Sequence, residues 1–474
     1  MSSAATDGVA SSNAEVGDAE VGNAGAPRSV AAKYGEMLRE GYEAYRTYVN
    51  PLIALRAELL SEPTRVTAAR DGQLIEPRGT VEDFHGTQSF GHRHPHVAKA
   101  ITEFLATDSP NWFPCRINPY AGLLAEQLCE RANATPGTPV DDVTRYRNVF
   151  FANSGSGAVE AAMKLARAAT GKPRVLSLQG AYHGTTMGSC ALMTPGMFKD
   201  PFGPHIPGAG PIPFDDVDAL AEALKQNDVA AVVVEPIQLE GGVRAVSSAW
   251  LEVACELTRK HGALLVADEI QTGLGRTGTF VASAAWPRRP DVIILGKHLG
   301  GGLVPISAMI TTEALFHRAY GQHYASAEAH NSTFSGNALV AVAALAALEL
   351  VTPELMARVK DIGDRFRGNL ARALSRHALF EEVRGAGLIV GVALHASDHP
   401  WLSFEHFGVP DLQDQPTTGV LMCHRLYKRG FYCFACGHNW RIMRILPRFN
   451  IPEAVLDQFV TSIDEELEFL CNLI

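Results

Sequence analysis

Between Asn148 and Ile310 one pattern of apolar and polar positions recurs: a short run of consecutive apolar residues, a polar or glycine cluster, then an amphipathic stretch. The runs are "RNVFFANSGSG", "RVLSLQGAYHG", "AAVVVEPIQ", "ALLVADEIQTG" and "DVIILGKHLGGG". Strands apolar at nearly every position are buried on both faces, so the pattern predicts an α/β domain with a mostly parallel sheet covered by helices. Function in such sheets gathers at the carboxyl ends of the strands. From Lys33 to about Phe90 the pattern is instead a helix followed by short strands broken by Gly72, Pro77 and Gly79, a segment that must pack on something else. After Asn337 the Ala/Leu-rich "ALVAVAALAALELV" predicts a helix, followed by a second helix, the strand-like "EVRGAGLIVGVAL" and a C-terminal helix, together a smaller second domain. The expected organisation is a disordered tail over 1–30, an N-terminal segment over 31–90 that packs with the smaller domain, a large domain over 91–345 and the small domain over 346–474.

The 474 residues suffice for such a pair of domains. Charged residues at 19% and hydrophobic ones at 46% are the profile of an ordinary soluble α/β protein. A net charge of -10 argues against a nucleic-acid or anionic-membrane surface. No apolar run reaches the length of a membrane span. The first residues, "MSSAATDGVASSNAEVGDAEVGNAGAPR", lack the basic start and apolar block of a signal peptide, so a cytoplasmic location is expected. Cys423 and His424, with Cys433, Cys436 and His438 further on, approximate a zinc-ligand set. The first pair is adjacent rather than spaced and the stretch is otherwise apolar, so reduced thiols are expected and no metal.

Three of the strand ends carry chemistry. Lys297 ends one just ahead of Gly300, Gly301 and Gly302; Asp268 and Glu269 end another; Glu235 ends a third. A lysine driven against an interior strand end must be paired, neutral or covalently used. Brought near a buried aspartate, with glycines giving a flat ligand room, it suits an aldehyde cofactor joined as a Schiff base; a structural ion pair with Asp268 or Glu269 is the alternative. In "NSGSGAVEAAMKLARAA" the apolar Val159, Ala162, Met163 and Ala166 share one helical face, so Ser154, Gly155 and Ser156 stand at a helix N-terminus. That is a plain cap or a phosphate cradle, and Lys297 favours the cradle. "LGKHLGGG" is not a P-loop, because its glycines follow the lysine.

The stretches "SGSGAVEAAMKLAR", "AYHGTT", "VVVEPIQLEGG", "ADEIQTGLGRTG", "LGKHLGGG" and "STFSGN", in this order, make the chain resemble a class III pyridoxal-phosphate-dependent aminotransferase of fold type I, from about Tyr45 to the C-terminus. The resemblance implies pyridoxal 5'-phosphate as cofactor, with Lys297 as the Schiff-base lysine and later the acid/base. It further implies Asp268 on the pyridine nitrogen, Ile270 and Tyr182 on the two faces of the ring, Gln271 near the phenolic oxygen, and Gly155 and Ser156 on the phosphate. Thr333 would reach the phosphate of a partner subunit, which implies a homodimer with shared active sites. Arg444 in "RIMRILPRFNI" would grip an α-carboxylate, with Arg441 as fallback, and Glu240 would pair with it when the substrate carries no carboxylate there. His183 is expected to be a packed or structural histidine beside a turn.

Four positions depart from the family pattern. Gly157 replaces an acid and is expected to loosen the helix start; His298 and Leu239 replace small residues and are expected to place bulk near the substrate. Thr185 stands where relatives acting on acidic substrates carry arginine. The implied reaction moves an amino group from an amino-acid donor, glutamate or alanine, to an aldehyde or ketone of a diamine, ω-amine or specialised-metabolite type. An aminomutase or decarboxylase on the same fold, or a catalytically silent cofactor-binding relative, is the alternative.

Overall fold

A computed structural model describes residues 30–59, 63–114, 117–397, 399, 402 and 416–473. The tail expected over 1–30 lies, apart from Val30, outside the described residues. The chain divides into two compact units, one up to Ala54 and one from Leu55 onward. The described part of the first carries the helices Val30–Glu36 and Leu38–Tyr48.

At the centre of the second unit is a seven-stranded sheet in the order Tyr146–Ala152, Ser307–Thr312, Val292–Leu295, Leu264–Asp268, Val229–Val234, Arg174–Leu178, Ala209–Ile212. All neighbours are parallel except Ser307–Thr312, which is antiparallel to both of its own. The strands Val229–Val234, Leu264–Asp268 and Val292–Leu295 are buried at every position, as consecutive apolar runs require. Two apolar layers cover the two faces, one built on the helix Gly155–Thr170 and the other on Ser248–Lys260.

The expected strand "EVRGAGLIVGVAL" is two strands. Phe380–Ala386 pairs antiparallel with Ile389–Leu394, and the chain reverses at Gly387, whose φ of 53° places it in the left-handed region. These strands join Asn439–Ile445 and Phe434–Cys436 in an antiparallel sheet. Just before that sheet's last hairpin, Phe431–Tyr432 pairs parallel with Gly79–Asp83, so the C-terminal stretch 431–445 also completes the sheet begun by the N-terminal strands. Two sheets therefore meet beside Tyr432 and Phe434. Among the described residues no single helix is long and apolar enough to cross a membrane.

Candidate active site

Lys297 follows Val292–Leu295 after Gly296 and has a φ of 47°, a left-handed conformation that costs a lysine about 1–2 kcal/mol and clusters at functional sites. The following turn needs its glycines. A Cβ on Gly301 would lie 2.7 Å from Val97 Cγ1, and one on Gly302 would lie 2.1 Å from Gln88 Oε1. The Lys297 amine donates to Gln271 Oε1 and makes no ion pair with Asp268 or Glu269. Glu269 is turned away, accepting from Thr272 Oγ1 at 2.5 Å and from the Ser283 N–H at 2.6 Å. The structural ion pair that the sequence left open is thus not formed. Desolvation by the surrounding protein first, and the Arg444 guanidinium second, pull the Lys297 pKa down to about 8, against the carboxylates of Glu240, Glu235 and Asp268, although the side chain stays accessible. Near neutrality this amine is within reach of its uncharged, nucleophilic form.

Asp268 is fixed at both oxygens. The Ile270 N–H donates to Oδ1 at 3.1 Å, and His183 Nδ1 lies 2.7 Å from Oδ2. The His183 side chain is fully buried, and its Nε2 has no hydrogen-bond partner in the structure. Sequence reasoning placed His183 only as a packed histidine; its adjacency to Tyr182 in "AYHGTT" was the available signal. Next to Asp268 on the neighbouring strand, Glu235 accepts from the Tyr182 N–H at 2.9 Å. Burial, with the Asp268 charge beside it, pushes the Glu235 carboxyl well above its usual range.

The helix Gly155–Thr170 opens on Ser154, whose hydroxyl accepts from the Gly157 N–H at 3.1 Å. Gly157 therefore does not loosen the start: it supplies the capped N–H, and a Cβ there would crowd Ser154 Oγ at 3.3 Å. The helix mouth is closed in from two sides. A Cβ on Gly155 would lie 2.8 Å from Ile270 Cδ1, and one on Gly184 would lie 2.4 Å from Ser156 Cβ. Ile270 also approaches Gly296, so its side chain stands between the helix mouth and the strand that ends at Lys297. Glu160, unmarked by the sequence pattern, holds the next turn by accepting from Thr186 Oγ1 and the Gly188 N–H, each at 2.7 Å.

Glu240 and Arg444 form an ion pair, and the Gly437 N–H adds a bond to Glu240 Oε2 at 2.8 Å. Burial alone would raise the Glu240 carboxyl; Arg444 and that N–H outweigh it and hold the carboxyl below its usual range. Arg441 points elsewhere, reaching Glu381 at 3.5 Å. Tyr182, Glu240 and Arg444 line one cavity of about 290 Å³. Thr333 is not brought there; it is exposed and lines a separate groove with Trp112, Phe150 and His330.

Two expectations about bulk are corrected. His298 is buried, with Nε2 2.9 Å from the Gly273 carbonyl and its ring edge-on to Phe449 at 5.9 Å, so it packs inward. Leu239 is buried in an apolar cluster with Ile237, Val243 and Ile442. Neither lines the cavity. Thr185 is exposed and also lies outside the lining. Cys423, Cys433 and Cys436 are buried, and among the described residues no cluster of His, Cys, Asp or Glu could hold a metal.

An accessible amine with a depressed pKa, a carboxylate fixed at both oxygens and a capped helix mouth are the parts that a phosphorylated pyridine aldehyde needs. They define the class. The class-III aminotransferase family model matches residues 84–467, and the chain belongs to that family, a group of pyridoxal 5'-phosphate enzymes. It is 42% identical over 375 residues to the acetylornithine aminotransferase of Mycobacterium leprae, covering 79% of this chain and 82% of that one. It is 34% identical over 461 residues to aminotransferase PigE of a Serratia species, covering 89% of this chain and 52% of that one, so it spans about half the length of PigE. Its fold matches the ornithine aminotransferase from Toxoplasma gondii ME49 with a TM-score of 0.76 at 28% identity, over 94% of this chain and 99% of that one. A second crystal structure of the Toxoplasma gondii enzyme, with PLP at partial occupancy in its active site, matches with a TM-score of 0.75 at 28% identity, over 93% and 98%.

Proposed function

We propose that the protein transfers an amino group from an amino-acid donor, glutamate or alanine, to an aldehyde or ketone of the ω-amine, diamine or specialised-metabolite type. The observation that carries this reading is the convergence of groups on one accessible amine: Lys297 Nζ donates to Gln271 Oε1 beside the fixed Asp268 and feels the charges of Arg444, Glu240, Glu235 and Asp268 together. The cofactor, when bound, supplies an electron sink for the bond broken at the amino-bearing carbon. The chain supplies the rest. Lys297 Nζ would hold the cofactor's aldehyde and, once displaced by the substrate amine, would take and return the proton at the substrate carbon. Asp268, oriented by His183 and the Ile270 N–H, would keep the cofactor's pyridine nitrogen protonated. Ile270 and Tyr182 would hold the cofactor ring, Gln271 would bond its phenolic oxygen, and Gly155 and Ser156 would hold its phosphate at the helix mouth.

Arg444 grips the donor's α-carboxylate through a bidentate contact, and Glu240 neutralises that guanidinium when a substrate without the carboxylate occupies the site. The acetylornithine and ornithine aminotransferases among the relatives fit an ω-amine role in general. Thr185, where relatives acting on acidic substrates carry arginine, is the departure that speaks against acetylornithine itself and 4-aminobutyrate, and it does so through the resemblance, since it lies outside the cavity lining. Thr333 bears on assembly. Its exposure, with Phe334 at 58% and Ile117 at 80% relative exposure, supports a homodimer in which Thr333 reaches the partner's phosphate site. The seven described cysteines are free, in keeping with a cytoplasmic location.

The test is to mix the holoenzyme with 15N-labelled alanine or glutamate and a panel of aldehydes. Label appearing in a new amine is the expected result. Carbon dioxide release or an isomerised amino acid without transfer would assign the protein to the decarboxylases or aminomutases instead.

A further inference from the structure

The cavity beside Glu240 and Arg444 is walled by rings rather than by charges. Tyr182, Phe198, Tyr427, Tyr432, Phe434 and Trp440 all line it. The rings are braced on one another: Tyr432 and Phe434 have centroids 5.0 Å apart, Tyr427 and Tyr432 6.5 Å, and Tyr182 and Phe198 5.9 Å. The Tyr427 hydroxyl is already taken by Glu76. Behind this wall His85 packs on Phe434 at 4.9 Å, and burial followed by Arg444 lowers its pKa to about 4, so it stays neutral. Cys423 also lines the cavity, and burial pushes its thiol well up, so it carries no charge either.

Three charged residues belong to the lining: Arg56, Glu240 and Arg444. The last two answer one another. Arg56 is exposed and has an interaction of its own. A second ammonium on a substrate would leave water for a wall whose one carboxylate, Glu240, is already paired with Arg444. Ring faces can attract cations, but Arg444 already stands over Phe434 at 5.5 Å and would repel another there. A distal carboxylate would find no uncommitted guanidinium inside. An alkyl or aryl body loses nothing polar on entry and gains from the rings.

We propose that this wall selects primary monoamines with an uncharged apolar body, and the matching aldehydes, over diamines and over amines with a distal carboxylate. The proposal rests on the aminotransfer reading above and narrows it.

Three probes of matched length separate the possibilities: hexylamine, 1,5-diaminopentane and 5-aminopentanoate. Single-turnover loss of holoenzyme absorbance gives kcat/KM for each, and calorimetric binding of 1-hexanol gives a readout independent of turnover. Hexylamine is expected to exceed both others by about tenfold or more, the discrimination an apolar pocket supplies. Trp440→Ala should shrink that ratio and weaken hexanol binding, while Tyr432→Leu, which keeps the wall apolar, should retain both. A diamine as fast as hexylamine overturns the proposal, as does 5-aminopentanoate reacting fastest or a preference that survives Trp440→Ala with hexanol binding unchanged. Alanine and glutamate are run alongside. If they react and the monoamine preference is absent, this proposal alone falls; if no donor and no amine reacts, the aminotransfer reading falls with it.

Discussion

Lys297 carries three constraints at once: a left-handed backbone, an accessible side chain whose charge is nonetheless penalised by the protein around it, and an amine bonded to a neutral amide rather than a carboxylate. The sequence showed that the lysine was out of place but left its partner open, because Asp268 and Glu269 are adjacent and only side-chain direction separates them. A base whose pKa is depressed to about 8 is uncharged above that pH and protonated below it. Trinitrophenylation of the cofactor-free protein should therefore modify Lys297 with a rate that climbs through about pH 8 and levels off above. Surface lysines should keep climbing toward pH 10, near the ordinary lysine value of about 10.4. A Lys297 profile that merges with theirs would contradict the desolvation argument. Asp268→Asn keeps the shape and removes the charge, so proton abstraction should drop by roughly several orders of magnitude with the fold intact. Stopped-flow rates alongside circular dichroism check this, and near-normal turnover would contradict the role given to Asp268.

At the scale of elements, what could be read from the chain was whatever depends on local pattern. The central strands announced themselves as apolar runs, and Ser154 as a cap. Ser307–Thr312 did not, since "SAMITT" mixes polar and apolar residues although the sheet buries all six. The reversal at Gly387 was lost for a related reason: glycine and leucine inside an apolar run look continuous until φ is known. His298 and Leu239 were misplaced because a difference from a family pattern says which residue is large, not which way it points. Arg276 went unnoticed inside "GLGRTG". Its buried guanidinium bonds the carbonyls of Gly86, Leu388 and Pro447 and the hydroxyl of Ser89, and burial lowers its pKa to about 9. It thereby ties together three segments far apart in the chain. Arg276→Ala leaves the Leu388 and Pro447 carbonyls without this donor, while Gly86 keeps the Ser89 hydroxyl, and should cost about 3 kcal/mol or more. Urea unfolding measures this, and a loss below about 1 kcal/mol would show that water or rearrangement satisfies them.

For the whole molecule, the resemblance to a family supplied what no local pattern contains. Thr333 sits in an exposed groove away from Arg444, and nothing in its own segment says that it serves a partner. If it completes the partner's phosphate site, Thr333→Ala should weaken cofactor retention. Mixing that variant with Lys297→Ala should then create one site per heterodimer with both defects and one with neither, recovering activity. Activity that does not depend on mixing would mean that each site is built from one chain. The measurement closest to the central claim is reduction of the holoenzyme with borohydride, followed by peptide mapping. The account predicts that the cofactor is found on the peptide containing Lys297; a label on Lys172 or Lys164 instead, or on no lysine, would contradict it.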